Sequence, residues 1–449
     1  MTRFTLLAFA LLASVSLARA DDWPQWMGPN RDGVWAEKGV VRQFPAKGPK
    51  ELWRVPVAAG YAGPAVAGGK VYVTDRVLAK GAKNPEDPFD TKQQVKSTER
   101  VLCLDAASGR EVWKHEYDCT YQISYPAGPR CTPTVHDGKV YALGAMGDLY
   151  CLTADAGKVL WSKSFVKDYG AKVPTWGFCG HPLVYKNLVI VVAGGPGATA
   201  VAFDKDTGAE KWKALDAREP GYCPPTLINA GGVDQVVIWH ATAINGLDPL
   251  TGKVHWTVPL EPMYGMSIMA PRQSGDRLFV GGIGSCAVLK LDKDKPGAAV
   301  LWKAAMADKP PKDRGLYPVN MTPFVDAGTI YGADQPGMFR AVELETGKKL
   351  WFTHKPTIGK EEEEDFKGSG SGTAFVVKSG DRYFLFAETG DLIVATLSPK
   401  GYEEVSRAKL LEPTGAAFGR KVLWTHPAFA NKCIYARNDK ELVCYSLAE

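Results

Sequence analysis

A turn phrase of the form Asp-x-x-Thr-Gly-x-x-x-Trp recurs along the chain and constrains its fold more than any other feature. Short runs before each copy alternate apolar and polar residues with period two, the pattern of β-strands. In the phrase, glycine accepts the positive φ of a tight turn, and the Asp and Thr side chains can bond the turn's own amides. The copies end at six tryptophans spaced 44 to 51 residues apart: Trp113, Trp161, Trp212, Trp256, Trp302 and Trp351. A period near 48 residues, with four strands per repeat, predicts a β-propeller.

Counting the repeats gives the number of blades. The eighth repeat runs out at Glu449, where its fourth strand should begin. Residues 51–57, which contain Trp53, look like a fourth strand and should pair with the strand near residues 441–447. The predicted fold is therefore all-β, with eight four-stranded antiparallel blades closed by the N-terminal strand. First strands are expected to start near Pro64, Pro133, Pro182, Pro225, Pro271, Pro323, Thr373 and Pro427.

The first 20 residues have the pattern of a secretory signal. Arg3 is followed by an apolar run from Phe4 to Leu17, which is too short to span a bilayer. Ala18-Arg19-Ala20 fits a cleavage site, and cleavage after Ala20 would deliver the protein to the periplasm or the extracellular space. We expect residues 21–49 to form an N-terminal extension and residues 50–449 a single propeller, with no later transmembrane segment.

Charge excludes two classes of partner. The chain has 54 basic and 49 acidic residues, a formal net charge of +5. A balance this close to neutral gives no basis for binding nucleic acid or an anionic membrane surface. We expect the partner to be a protein or a small molecule.

The repeated phrase resembles the tryptophan-docking repeat of pyrroloquinoline quinone (PQQ)-type propellers. That family includes eight-bladed quinoprotein dehydrogenases and outer-membrane-assembly lipoproteins of the Bam type. Residues 22–33, Asp-Trp-Pro-Gln-Trp-Met-Gly-Pro-Asn-Arg-Asp-Gly, look like the start of exported bacterial members. The resemblance implies that the repeat tryptophans pack between neighbouring blades. Here these would be Trp53, Trp113, Trp161, Trp212, Trp256, Trp302 and Trp351.

The resemblance does not extend to the marks of either known function. PQQ dehydrogenases of the family carry two adjacent cysteines under the quinone and a metal ion held by Glu, Asn and Asp. This sequence has no Cys-Cys pair, no assignable metal-ligand motif and no lipoprotein cysteine after the apolar run. We expect no tight binding of PQQ, and we assign no cofactor or catalytic residue.

Candidate binding residues lie at one mouth of the central channel, because first strands line the channel of a propeller and the residues entering them rim it. A ligand site, a metal site and ordinary packing are all open for these residues. Adjacent blades hold equivalent positions well apart, which disfavours a metal. The candidates are Trp176, Cys179, His181, Cys223, Asn320 and His426, with Cys131 at the same level.

Nine cysteines leave at least one thiol unpaired within the chain. Export permits disulfides, and two local pairs are candidates. Cys119 and Cys131 flank one loop. Cys433 and Cys444 flank Asn438–Asp439, and a two-residue turn there would place them directly opposite each other. Apolar packing is the alternative for each pair.

These observations favour an exported, non-catalytic propeller that binds a protein or small ligand at one face of the ring, in the cell envelope. A PQQ-dependent alcohol or sugar dehydrogenase that uses calcium is the first alternative. Binding of an envelope glycan or peptide through the aromatic rim is the second. The polar insertion at residues 76–99 is expected to be a mobile flap or disordered.

Overall fold

The computed structural model describes residues 22–306, 314–364, 366 and 368–449. These residues form eight four-stranded antiparallel sheets, each with its strands in sequence order except where the ring closes. First strands of neighbouring blades contact each other around the channel, as in β2 with β6 and β18 with β22 of the blades given below. The all-β, eight-bladed propeller predicted from the repeat is confirmed.

The N-terminal strand is β1 (Lys50–Pro56), and it belongs to the last blade. Blade 1 contains β2 (Ala65–Ala67), β3 (Lys70–Leu78), β4 (Val95–Asp105) and β5 (Glu111–Tyr121). Blade 2 contains β6 (Thr134–His136), β7 (Lys139–Leu143), β8 (Asp148–Thr153) and β9 (Val159–Ser164). Blade 3 contains β10 (Leu183–Tyr185), β11 (Leu188–Val192), β12 (Ala200–Asp204) and β13 (Glu210–Ala214). Blade 4 contains β14 (Thr226–Ala230), β15 (Val233–Trp239), β16 (Ala243–Leu247) and β17 (Val254–Pro259).

Blade 5 contains β18 (Arg272–Ser274), β19 (Arg277–Gly282), β20 (Ser285–Leu291) and β21 (Ala298–Ala305). Blade 6 contains β22 (Phe324–Asp326), β23 (Thr329–Ala333), β24 (Phe339–Glu343) and β25 (Lys349–Thr353). Blade 7 contains β26 (Ala374–Ser379), β27 (Arg382–Ala387), β28 (Asp391–Ser398) and β29 (Gly401–Lys409). A hairpin of β30 (Gly415–Ala417) and β31 (Arg420–Val422) precedes blade 8, which contains β32 (Ala428–Ala430), β33 (Cys433–Arg437) and β34 (Glu441–Ser446).

Helix is scarce in the described part of the chain. It consists of α1 (Phe165–Tyr169), α2 (Lys355–Ile358) and a 3₁₀ turn at Met263–Gly265. No described helix has the length and apolar character needed to cross a membrane.

The ring closes through β1, which pairs antiparallel with β34. Trp53 lies opposite Cys444, and Pro56 lies opposite Glu441. The predicted pairing of residues 51–57 with the strand near residues 441–447 is confirmed. Blade 8 is therefore built from both ends of the chain, and its ladder resists opening of the ring.

The repeat tryptophans pack on the turn of the following blade. Trp212 is 7% exposed, and its Nε1 donates to the carbonyl of Pro249 at 3.1 Å. A Cβ on Gly252 would lie 2.7 Å from the Trp212 ring, and Gly252 has a φ of +71°. Glycine is therefore required both for the turn and for the close approach of the indole. Gly109, Gly157, Gly208 and Gly347 stand in the same relation to the tryptophan of the preceding blade.

Trp256 departs from this pattern. Its ring lies against Gly246 of its own blade, and its Nε1 donates to Gln235 Oε1 at 2.7 Å. The next copy of the phrase is degenerate in sequence, so the turn that would receive Trp256 is altered. Trp351 is only partly buried, and it donates to the carbonyl of Ser398 at 2.8 Å.

Residues 22–35 fill the lower part of the channel, and we call them the plug. "Upper" denotes the end at which first strands begin. Trp23 exchanges two 2.8 Å backbone hydrogen bonds with Val66 of β2. At its C-terminal end, the plug pairs with Lys378 of β26. The carbonyl of Gly33 accepts from the amide of Lys378 at 2.9 Å, and the amide of Trp35 donates to the carbonyl of Lys378 at 2.8 Å. The first part of the predicted extension, residues 22–35, therefore runs inside the ring, a placement that its sequence did not indicate.

Two arginines, Arg272 of blade 5 and Arg31 of the plug, connect the plug to the ring. Arg272 donates to the carbonyls of Arg31 (3.0 Å) and Asp32 (2.5 Å). Arg31 donates to the carbonyls of Pro182 (2.8 Å) and His181 (3.2 Å). Burial lowers the pKa of each arginine to about 10, so both remain charged at neutral pH.

Two sequence expectations need correction. Residues 76–99 form the ends of the long strands β3 and β4 and the loop between them, so the insertion is folded. In blade 8, Cys433 lies opposite Ser446 and Cys444 lies opposite Tyr435, because the turn is longer than two residues. The predicted direct opposition of the two cysteines is wrong.

The cysteine pairing itself stays a prediction. All nine cysteines lie within the described residues, and each is a free thiol there. The thiols of Cys433 and Cys444 are nevertheless close enough to share a hydrogen bond, which raises the pKa of Cys444. Diagonal neighbours across a ladder can reach each other in this way.

Candidate functional site

A cavity of about 710 Å³ opens at the upper mouth of the channel. Its walls are the loops that enter the first strands, and its floor is the top of the plug. Five of the six residues predicted to rim the channel line this cavity: Trp176, Cys179, His181, Asn320 and His426.

The sixth candidate, Cys223, does not line the cavity. It is 1% exposed, and its thiol donates to the carbonyl of Met269 at 3.2 Å. Burial raises the pKa of the Cys223 thiol above its ordinary value. Cys131, at the same level, is fully buried and contacts the carbonyl of Phe178. These two cysteines pack the wall from behind.

Trp26 forms the centre of the floor. This plug residue is 5% exposed, and its ring stacks on His181 with centroids 4.7 Å apart and planes at 11°. Its edge meets His426 at 5.6 Å, and the guanidinium of Arg31 lies 5.7 Å from its centroid. Trp26 was not among the predicted rim residues, because nothing in the motif around it indicates that the segment enters the ring.

The two floor histidines are neutral at physiological pH. Burial lowers the pKa of His426 to about 3. Burial and the nearby Arg31 charge hold the pKa of His181 well below its usual range. His181 Nδ1 accepts a 3.0 Å hydrogen bond from the amide of Thr132, so the proton of the neutral ring is on Nε2. Each ring thus offers a hydrogen-bond donor without a charge.

Aromatic and methionine side chains make up most of the wall. Trp176 meets Tyr222 edge-on at 5.7 Å, and Tyr125 lies 6.0 Å from Trp424. Phe89, from the folded insertion of blade 1, packs edge-on against Tyr125 at 5.1 Å. Four methionines complete the apolar surface: Met263, Met266, Met306 and Met321. Methionine adapts its shape to different ligands, so this wall can follow more than one apolar surface.

Arg130 supplies the charge of the cavity. Among the lining residues that the structure describes, it is the one with an ionic side chain. It donates to the carbonyls of Gly128, Ser124 (2.9 Å) and Tyr125 (2.7 Å). Its guanidinium lies 5.1 Å from the centroid of the Tyr61 ring. Arg130 lies three residues before Pro133, where a first strand was predicted to start, so the rule that selected the other rim residues would also have found it.

The lining does not fit calcium-bound PQQ. Within the described residues, no three His, Cys, Asp or Glu side chains converge as metal ligands. The described lining contains no carboxylate, and it offers one arginine to a cofactor that carries three carboxylates. Cys179, whose pKa burial raises to about 11, has no adjacent cysteine beside it.

Comparisons with known proteins agree with this architecture. A family model described as outer membrane protein assembly factor BamB matches residues 97–262 and 240–449. Outer membrane protein assembly factor BamB of Moranella endobia is 23% identical over 292 residues, 62% of this chain and 67% of the relative. Quinohemoprotein alcohol dehydrogenase ADH IIB of Pseudomonas putida is 31% identical over 127 residues, 26% of this chain. That match spans 17% of the dehydrogenase.

Solved structures share the fold at low identity. BamB from Moraxella catarrhalis aligns with a TM-score of 0.57 and 16% identity, covering 88% of this chain and 97% of that one. Quinohemoprotein alcohol dehydrogenase from Comamonas testosteroni aligns with a TM-score of 0.59 and 15% identity, covering 95% and 80%. The matched residues extend over most of the propeller, and this chain belongs to the PQQ-like repeat propeller family whose model is described as outer membrane protein assembly factor BamB.

Proposed function

We propose that this protein is a non-catalytic binding protein of the cell envelope that holds a ligand in the upper cavity of its ring. The observation that carries the proposal is a blind, largely apolar cavity whose floor is the protein's own plug. Its volume of about 710 Å³ lies within the range of small-molecule sites, roughly 300–1,000 Å³. Because residues 22–35 fill the channel below, a ligand enters and leaves by the upper mouth.

The composition of the cavity supports binding over catalysis. Aromatic and methionine walls with a few convergent polar groups are typical of ligand sites. A quinone-dependent dehydrogenase is the weaker candidate, because the described lining does not match the charge of PQQ or a calcium ligand set. The match to the alcohol dehydrogenase covers only a small part of that enzyme.

A protein partner could also use this face. Exposed aromatic side chains stand at the mouth, among them Tyr264 at 71% and Phe418 at 57% exposure. Large apolar groups left in solvent around a cavity are typical of contact surfaces. The relative named outer membrane protein assembly factor BamB has, by its name, a role in protein assembly, and a protein partner for this chain is proposed by analogy with it.

Probe binding to a cavity-filling variant tests the proposal. We expect N-phenyl-1-naphthylamine and its sulfonated relative 1-anilinonaphthalene-8-sulfonate to bind the native protein, at least one of them in 1:1 stoichiometry. Ile268→Trp fills the cavity and should weaken that binding by about 10-fold or more, because Ile268 lines the wall. Leu160→Trp, at an exposed position of the outermost strand of blade 2 (β9), is the matched control and should leave binding unchanged. Saturable binding that is equal in the native protein and in Ile268→Trp would contradict the proposal, as would no binding of either probe.

Location is tested separately. Protein recovered from the envelope fraction should begin at Asp21 if the signal is cleaved after Ala20. An intact N-terminus on the exported protein would contradict the predicted cleavage.

A further inference from the structure

The described lining of the upper cavity contains a positive side chain, Arg130, and no negative one, and this indicates what kind of ligand it would bind. Three of the five N–H groups of Arg130 donate to backbone carbonyls, and among the described residues no carboxylate forms an ion pair with it. Carbonyl oxygens satisfy hydrogen bonds but do not neutralise a full positive charge. The guanidinium is partly buried beside aromatic rings, and an anion in the cavity would balance its charge and accept its remaining hydrogen bonds.

The surroundings of Arg130 reinforce this asymmetry. Arg31 lies under the floor, 5.7 Å from the Trp26 ring, and it too bonds only to carbonyls among the described residues. The floor histidines are neutral, so they add no charge of either sign. The described lining has no Asp or Glu to attract a cation. Arg130 is therefore the one charged side chain that the described lining presents to the cavity.

The floor offers hydrogen bonds that the protein leaves unused. Thr132 lines the cavity and is 1% exposed, yet its hydroxyl has no hydrogen-bond partner among the described residues. His181 Nε2 carries the proton of the neutral ring, because Nδ1 is occupied by the amide of Thr132. A buried hydroxyl without a partner is unfavourable in a finished core and indicates a position that a bound molecule would satisfy.

We propose that the upper cavity binds a small organic monoanion, with its acidic group on Arg130, its apolar body against the aromatic and methionine wall, and a polar atom near Thr132 and His181. This inference rests on the proposed function and specifies the ligand class. One negative charge matches one uncompensated guanidinium, and a charge-assisted hydrogen bond to arginine adds geometric specificity. The blind floor and the cavity volume favour a small molecule over a segment of a protein partner.

A matched pair of probes isolates the charge. 1-Anilinonaphthalene-8-sulfonate and N-phenyl-1-naphthylamine share the same two aromatic parts, and only the first carries a sulfonate. We expect the sulfonate to bind the native protein about 10- to 100-fold more tightly, the range of one hydrogen-bonded charge pair. Arg130→Gln should bring the affinity for the sulfonate down to that for the neutral probe and leave the neutral probe unchanged.

Controls separate the outcomes. Arg110→Gln, an exposed arginine in a lower turn of blade 1, should change neither affinity. A melting temperature for Arg130→Gln close to that of the native protein would show that the ring is intact, and Arg130→Lys, which keeps the charge, should retain part of the preference. Equal binding of both probes to the native protein, with Ile268→Trp weakening both, would overturn this inference and leave the proposed function standing. An equal loss of both probes in a folded Arg130→Gln variant would overturn it as well. Failure of both probes to bind would remove the proposed function itself.

Discussion

The two ends of the channel are built from the same eight first strands, yet the lower end is closed by the plug and the upper end is open. At the lower end, the plug pairs with the strands through backbone hydrogen bonds, as Trp23 does with Val66 and Trp35 with Lys378. At the upper end, side chains meet across an open space, and the hydroxyl of Thr132 has no partner within the described chain. The ring alone therefore does not determine which end of the channel stays open. The segment that closes one end makes the other end a blind cavity.

The largest loss of stability should come from deleting the segment that closes the lower end of the channel and completes blade 8. Deletion of residues 22–57 removes the plug and the β1–β34 ladder, including Trp53, whose Nε1 donates to the carbonyl of Ala106 at 2.9 Å. We expect loss of cooperative folding, measured by circular dichroism and thermal unfolding. Arg272→Met, which removes only two bonds to the plug, should lower the melting temperature without unfolding the ring. An unchanged melting temperature for the deletion would contradict the role of this segment.

A tryptophan packed between blades and a tryptophan in the cavity wall should differ in how much stability is lost when each is replaced by alanine. Trp212→Ala leaves a cavity between blades and should cost about 3–5 kcal/mol of the free energy of unfolding. Trp176→Ala, in the half-buried upper wall, should cost less than about 1.5 kcal/mol and weaken probe binding instead. Denaturant unfolding and fluorescence titration measure the two quantities. Similar losses of stability for both variants would show that the upper wall is ordinary core.

A smaller effect concerns acid stability at the floor of the cavity. The pKa of His426 is lowered to about 3, whereas an unfolded histidine has a pKa of about 6.5. Between these two pKa values the unfolded chain binds a proton on His426 and the folded chain does not. The free energy of unfolding therefore decreases as pH falls from about 6.5 toward about 3. Between pH 7 and 5.5 the native protein should lose about 1 kcal/mol more than His426→Gln.

The measurement is the difference in unfolding free energy between the two proteins at each pH. His181 remains in both, so its own acid dependence cancels. A constant difference across this range would mean that His426 is protonated with an ordinary pKa.

The repeat made the ring and its closure predictable, because strand alternation, turn glycines and a missing fourth strand are all local signals. Five of the six candidate rim residues line the cavity for the same reason, since each precedes a first strand. Trp26 could not be found in this way, because its position depends on where residues 22–35 cross the ring. The offset of Cys433 and Cys444 depends on a turn longer than two residues, and neither Asn438 nor Asp439 specifies its length.

Hydrogen exchange of the purified full-length protein, resolved to peptides by mass spectrometry, tests the contrast between the two ends most directly. We expect the amides of Trp23 and Trp35 in the plug to exchange as slowly as those of the buried strands β11 and β27. Bound 1-anilinonaphthalene-8-sulfonate should then slow exchange only in the loops around the upper mouth. Rapid exchange throughout residues 22–35, with the blades still protected, would show that the plug leaves the channel, and the cavity would no longer be a blind site.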